Sequence, residues 1–289
     1  MVDLRYEAPD TLQAAVALLA GATGTARVLA GGTDVIVQME TDLIAPQLLV
    51  DIKKIKETRQ IAAENAGFRI GAAVPGLEIM GHAALNKAWP GVVDAVKLIG
   101  SIQVRGRASI GGNLCNASPA ADSVPALIAA AAVARIIGPD GMRDVPVEQI
   151  PVGPGKTSLA KGELIASFFL PARPAHSGDA YQRFTPRTEM DIAVVGVGVS
   201  LTLDGGGTCV AARVSLGAVA PTVLLVKECA DALIGSKLDD AALERLAKAA
   251  SAACRPIDDK RGTKEYRIKV AGVLARRTAL QALERARQN

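Results

Sequence analysis

Residues 103–122 read QVRGRASIGGNLCNASPAAD and residues 29–34 read LAGGTD. Each carries two adjacent glycines beside a hydroxyl: Gly31 and Gly32 precede Thr33, and Gly111 and Gly112 follow Ser109. Glycine has no Cβ, so consecutive backbone N–H groups can turn toward one anion and approach it closely, with the hydroxyl as a further donor. One such turn is ordinary. Two, far apart in the chain, suit a dinucleotide whose phosphates are gripped from more than one side. Beyond the second pair lie Asn116, Ser118 and Asp122. Asp122 can cap the helix that follows or equally hold ribose hydroxyls, whereas Asn116 and Ser118 have no capping duty.

Working outward, residues 4–6 read as a short strand, and a helix capped by Asp10 runs to Ala20 and stops at Gly21 and Gly24. Residues 27–30 form a strand that enters the first glycine turn, and a short helix spans 35–40. Strands follow at 48–52, 60–63 and 68–72, and Pro75 opens a helix to about Leu85. Residues 91–100 and 122–131 read as helical. Residues 132–137 and 142–147 form a hairpin around Pro139-Asp140-Gly141. A strand at 164–170 precedes the boundary run 171–178, and the Pro/Gly-rich run 151–155 is a second candidate boundary. Thereafter 191–203 and 209–217 pair across Asp204-Gly205-Gly206-Gly207, and helices at 241–253 and 263–285 close the chain.

Bulk properties exclude several classes. Hydrophobic residues make up 49% and charged residues 21% of the 289, enough for a sizeable core in two units. A formal charge of +4 drawn from 33 basic and 29 acidic residues gives a mixed surface, and 3% aromatics leave few rings to stack on bases. Nucleic acid is not expected. The first residues carry charges where a secretory signal needs an apolar run, and no long apolar span occurs, so a cytoplasmic protein without a membrane span is expected. Cys115, Cys209, Cys229 and Cys254 form no C-x-x-C pair and read as reduced thiols.

Three familiar patterns fail. Gly153-Pro154-Gly155-Lys156-Thr157 ends like a P-loop, but Ile150 stands where a glycine is required and Gly162 follows too soon for a phosphate-binding helix, so it reads as a surface loop. Gly196-Val197-Gly198 lies in a strand without the third glycine of a dinucleotide fingerprint, and those glycines read as close packing. His82 and His176 sit in no ligand or triad pattern. No catalytic or metal-ligating residue is assigned to this chain.

The run from Gln103 to Asp122 closely resembles the FAD-binding medium subunit of the molybdenum hydroxylases, the xanthine dehydrogenase and carbon monoxide dehydrogenase family. Residues 29–34 match its first flavin loop, Asp191-Ile192-Ala193 a strand beside the flavin, and 217–221 a turn. Arg261-Gly262-Thr263 with Tyr266-Arg267 matches the stretch before its last helix. The resemblance implies an α+β chain: a two-lobed FAD-binding domain of vanillyl-alcohol-oxidase (PCMH) type over 1–174, with lobes of about 1–55 and 56–174, then a smaller α+β domain over 175–289. By the family pattern Arg27, Leu29, Ala30, Gly31, Gly32, Thr33 and Asp34, with Ser109, Ile110, Gly111, Gly112 and Asn113, surround the pyrophosphate, and Ser118 stands close by. Asp122 takes a ribose, Ile99 and Gly100 lie along the cofactor, Ile165 touches the adenine side, and Arg183 and Ile192 lie near the isoalloxazine.

The family pattern also implies partners. A large molybdopterin-binding subunit hydroxylates the substrate, a small subunit carries [2Fe–2S] clusters, and the three assemble as a dimer of heterotrimers. This chain is then the FAD carrier between the clusters and an external acceptor. Thr33-Asp34 stands where carbon monoxide dehydrogenases have His-Ser, and Ile192 where they have an aromatic, so that substrate is not favoured. No cysteine-bearing insertion for an additional cluster is present. Two other readings are a self-contained flavin oxidoreductase and a maturation or scaffold protein that has lost FAD.

Overall fold

The computed structural model describes residues 4–289. A small sheet orders its strands Arg5–Glu7, Leu48–Asp51, Ala26–Leu29, both pairings parallel. Parallel neighbours require a crossover: the helix Val35–Glu40 lies in the one from Ala26–Leu29 to Leu48–Asp51, and the helix Leu12–Gly21 carries the chain between the two outer strands. Its Ala15, Val16 and Leu19 pack on Leu48 and Val50, and the same cluster reaches Ile137, Leu164 and Ala166 of the next sheet. That second sheet is antiparallel, in the order Ile61–Glu64, Gly67–Gly71, Leu164–Leu170, Val133–Gly138, Gly141–Pro146. The fully buried Phe168, Ile70 and Ile136 meet Val92, Val93 and Val96 of the Pro90–Lys97 helix and Leu127 of the Ser123–Ala129 helix in one core.

The carboxyl-terminal unit is a four-stranded antiparallel sheet, Ser177–Phe184, Val195–Leu203, Cys209–Gly217 and Leu224–Leu225, with helices Lys227–Leu233, Asp240–Ala253 and Lys264–Gln288. Strand alternation decides how it meets the rest. Along Ser177–Phe184, Gly178, Ala180 and Gln182 face the last helix. Gly178 would drive a Cβ to within 2.0 Å of the Ala282 carbonyl, and Gln182 bonds Gln281 at 2.8 Å. The intervening Asp179, Tyr181 and Arg183 face the amino-terminal part. Arg173 donates to Asp179 at 2.9 Å with its guanidinium 5.0 Å from the Trp89 ring, and Arg285 bridges Asp94 at 2.7 Å and the Asp179 carbonyl at 2.8 Å.

On that same face Gly196 and Gly198 are packing glycines, as expected: Gly196 makes room for the Tyr181 hydroxyl, 2.6 Å from where its Cβ would lie, while Gly198, with Gly217, lets the Ser123–Ala129 helix approach, a Cβ on Gly198 lying 2.4 Å from the Pro125 carbonyl oxygen. Gly198→Val is therefore expected to cost about 1–3 kcal/mol or more by overpacking. Chemical denaturation reads the cost directly, and an unchanged midpoint would mean a looser contact than this one.

Several boundaries differ from expectation. Thr11, not Asp10, caps the first helix, since its extended backbone sets Oγ1 3.2 Å from the Ala14 amide. The helix after Pro75 breaks into Gly76–Gly81 and Ala83–Ala88, because His82 leaves the helix and its Nδ1 accepts from the Leu85 amide at 3.1 Å. The segment Pro151–Gly155 is no boundary: Pro151–Gly153 and Lys156–Thr157 pair as a small hairpin. The strand expected from Asp191 begins at Val195, because Asp191 is held by ion pairs rather than a ladder. The strand Ser177–Phe184 and the helix Lys227–Leu233 are additional to the elements expected from the sequence.

Candidate functional site

A cavity of about 710 Å³ opens between the first lobe and the second sheet. The strand Ala26–Leu29 delivers Ala30, Gly31, Gly32, Thr33 and Asp34 to one wall. Ser109, Gly111, Gly112 and Asn113 form another, with Arg27, Ile99 and Ile165 at the sides. The second glycine pair is not a loop as expected. It is the first turn of a helix, Ile110–Cys115, whose N-cap Ser109 accepts from the Gly112 amide at 3.1 Å, leaving the Ile110 and Gly111 amides outside the helical ladder.

The four glycines do different work. A Cβ on Gly31 would fall 2.1 Å from the Arg107 carbonyl, and one on Gly111 2.4 Å from the Ala72 carbonyl, so both exist to let backbone meet backbone. Gly32 has φ +81, the left-handed conformation that glycine takes without strain. Gly112 alone faces open space: a Cβ there would meet only Ser109 Oγ, at 3.4 Å.

Of the other expected residues, Leu29, Gly100, Ile110, Ser118, Asp122, Arg183 and Ile192 do not line the cavity. Leu29 and Ile110 are buried in the walls. Gly100 takes φ +53 behind Ile99, where Arg105 donates to both carbonyls at 3.2 and 3.4 Å. Ser118 has a local duty after all, since its Oγ accepts from the Ala120 amide at 3.3 Å in a turn. Asp122 is committed elsewhere: Tyr181 donates to it at 2.9 Å and Arg183 at 2.6 Å, all three side chains buried or nearly so. Burial pushes its pKa up to about 6, while Arg183 and Tyr181 pull it the other way. Its two oxygens hold the carboxyl-terminal sheet against the second glycine segment, to which Asn113 Oδ1 adds bonds from Ser123 at 2.7 and 3.1 Å.

Arg183 also reaches the Asp191 carbonyl at 3.5 Å, which places the exposed Ile192 one residue beyond this network. Arg261 Nε at 3.0 Å is the main force holding the Asp191 carboxyl down to about 2. A depressed carboxylate stabilises the fold fully above its unfolded value near 3.8 and loses that contribution as pH falls toward 2. Asp191→Asn is thus expected to flatten the acid side of the stability profile between those limits, measured by thermal melts across pH; an unchanged profile would remove Asp191 from acid unfolding.

The cavity also contains residues outside the set expected from the sequence: Gln38, Cys115, Asn116, Thr157 and Lys161. Gln38 lies one turn after Asp34, a helical spacing visible in the sequence; Lys161 had no signal. Gly155 and Thr157, from the failed P-loop pattern, line the rim with no helix behind them. Cys115 borders the cavity, and the desolvation it meets there pushes its thiol up to about 12. Burial also raises the Asp34 carboxyl. Arg27 and Lys161 make no ion pair among the described residues, which leaves two cations for an anionic ligand.

Comparison with known proteins agrees with this geometry. The model for the FAD binding domain in molybdopterin dehydrogenase matches residues 2–173, and that for the CO dehydrogenase flavoprotein C-terminal domain matches residues 180–282. This chain belongs to the FAD-binding medium subunits of the molybdenum hydroxylases. It is 36% identical to the carbon monoxide dehydrogenase medium chain of Afipia carboxidovorans, over 98% of this chain and 97% of that one. It is 30% identical to the putative xanthine dehydrogenase FAD-binding subunit of Escherichia coli (strain K12), over 97% and 96%. A crystal structure of the Cu,Mo-CO dehydrogenase in its cyanide-inactivated form superposes with a TM-score of 0.93 at 35% identity, covering 98% of both chains. As a medium subunit the chain is α+β, binds FAD and is part of an oxidoreductase. The cavity fits that cofactor: it is large enough for a dinucleotide, has two cations that make no ion pair among the described residues, and has a wall at Gly112 that admits close approach.

Proposed function

We propose that the FAD pyrophosphate is held between residues 30–34 and the Ser109-capped turn, with Arg27 and Lys161 balancing its charge and Ile165 beside the adenine. The observation that carries this is the convergence of both glycine segments on one cavity. Asp122 and Arg183 act as a buried strut behind the cofactor rather than as its ribose and ring ligands, because each is already paired. Ile192, exposed at the end of that strut, borders the ring. The domain boundary falls within 171–176, between the strand Leu164–Leu170 and the strand Ser177–Phe184.

When bound, FAD would supply the redox chemistry that links a one-electron iron–sulfur donor to a two-electron acceptor. The chain's own residues grip the dinucleotide, set the wall spacing and place charge around it. Its partners are a large molybdopterin-binding subunit and a small [2Fe–2S] subunit, in a dimer of heterotrimers in the cytoplasm. Among the described residues no helix is long and apolar enough to cross a membrane. The hydroxylated substrate is chosen on the large subunit, since relatives over nearly the whole length of this fold serve carbon monoxide and xanthine dehydrogenases alike. Purification of the chain from its native host tests the assembly. Co-elution with molybdenum and iron in a three-subunit complex is expected, whereas a lone flavoprotein with full turnover would favour a self-contained oxidoreductase.

A further inference from the structure

We infer that Asn116 is a positioning residue, a clasp that fixes the two glycine segments at the spacing FAD requires. Its Nδ2 donates to Asp34 Oδ1 at 3.1 Å and its Oδ1 accepts from Gln38 Nε2 at 2.9 Å. Asn116 ends the helix Ile110–Cys115 that begins at the second glycine pair. Asp34 and Gln38 flank the first turn of the helix Val35–Glu40 that follows the first pair. All three side chains line the cavity. The clasp therefore joins two stretches of chain, 78 and 82 residues apart, across the site itself.

A second, independent observation gives the clasp its importance. The helix Val35–Glu40 fully buries none of its residues: Val35, Gln38 and Met39 are half-buried, and Ile36 and Val37 are 43% and 52% exposed, so only a shallow apolar contact anchors it. Helices of that length are not stable on propensity alone and are held by tertiary contacts. Asp34 makes no capping bond within its own helix, which leaves its carboxylate for Asn116. The bond to it is charge-assisted and correspondingly strong. A carboxamide is suited to the position because it donates to a carboxylate and accepts from a carboxamide at once. A carboxylate there would face Asp34 with like charge, and an apolar side chain would satisfy neither neighbour. Fixing both walls before the ligand arrives lowers the ordering cost of binding.

The inference rests on FAD being the cavity's ligand, and the test separates the two ideas. Apo full-length chain is titrated with FAD, following quenching of flavin fluorescence, for the wild type, Asn116→Asp, Asp34→Asn, the double variant and Asn116→Ala. Asn116→Asp and Asn116→Ala are each expected to bind roughly tenfold to hundredfold more weakly, the loss of a bond to a charged group, whereas Asp34→Asn keeps an acceptor oxygen for Asn116 and is expected to lose less. The double variant is expected to recover most of that loss. The new amide at position 34 then donates to the new carboxylate at position 116, Gln38 still donates to it, and both bonds form with the charge moved across. A double variant that loses as much as the two singles combined, or an Asn116→Ala chain with wild-type affinity, would overturn the clasp. A wild-type chain that binds no FAD would overturn the reading beneath it.

Discussion

Gly112→Leu is expected to yield a folded chain that no longer retains FAD, with affinity lower by about 100-fold or more. At this position a Cβ meets only Ser109 Oγ, at 3.4 Å, so the side chain does not strike the wall but extends into the cavity where the cofactor must approach. The residue lies in the helix Ile110–Cys115 with no positive φ, and replacing a helical glycine by leucine stabilises the helix by about 0.5–1 kcal/mol. The apo protein should consequently melt no lower than wild type. Gly31→Ala is the contrasting control: its Cβ falls 2.1 Å from the Arg107 carbonyl, so both stability and FAD are expected to be lost. Equal thermal damage in the two variants would show that Gly112 is a packing glycine as well.

The second large effect is expected at Asp122. Its removal as Asp122→Ala strands Arg183, whose side chain is 5% exposed, and the buried Tyr181 hydroxyl. Breaking one side of a buried pair costs about 3–5 kcal/mol, mostly through the charge left behind. Urea denaturation should show that loss. Replacing both partners by apolar residues of similar volume should return most of it, since the ion pair itself contributes little net stability. A small loss in Asp122→Ala would instead mean that Arg183 finds a new partner, with the Asp191 carbonyl at 3.5 Å the nearest alternative.

These two positions also show what was legible in the sequence. The paired glycines, the strand before them and the hairpin at Pro139 follow from local chemistry, and the structure has all of them in place. The reason for each glycine was not local: Gly31 and Gly111 answer to the carbonyls of Arg107 and Ala72, on chain segments that only the fold brings near. The same holds for Asp122, whose partners on the strand Ser177–Phe184 come from the other unit. That strand is hard to read locally because its alternate residues are Asp179, Tyr181 and Arg183, which look solvated until the amino-terminal part is set against them. Asn116 likewise has no local duty, and its role becomes visible only when Asp34 and Gln38 are beside it.

On the proposed reading, this chain takes electrons from a [2Fe–2S] partner onto its FAD. Rapid mixing of the FAD-loaded chain with the reduced small subunit under anaerobic conditions tests it most directly. Bleaching of the oxidised-flavin absorbance, in step with reoxidation of the clusters, is the expected result. Clusters that stay reduced beside a flavin that stays oxidised would contradict it.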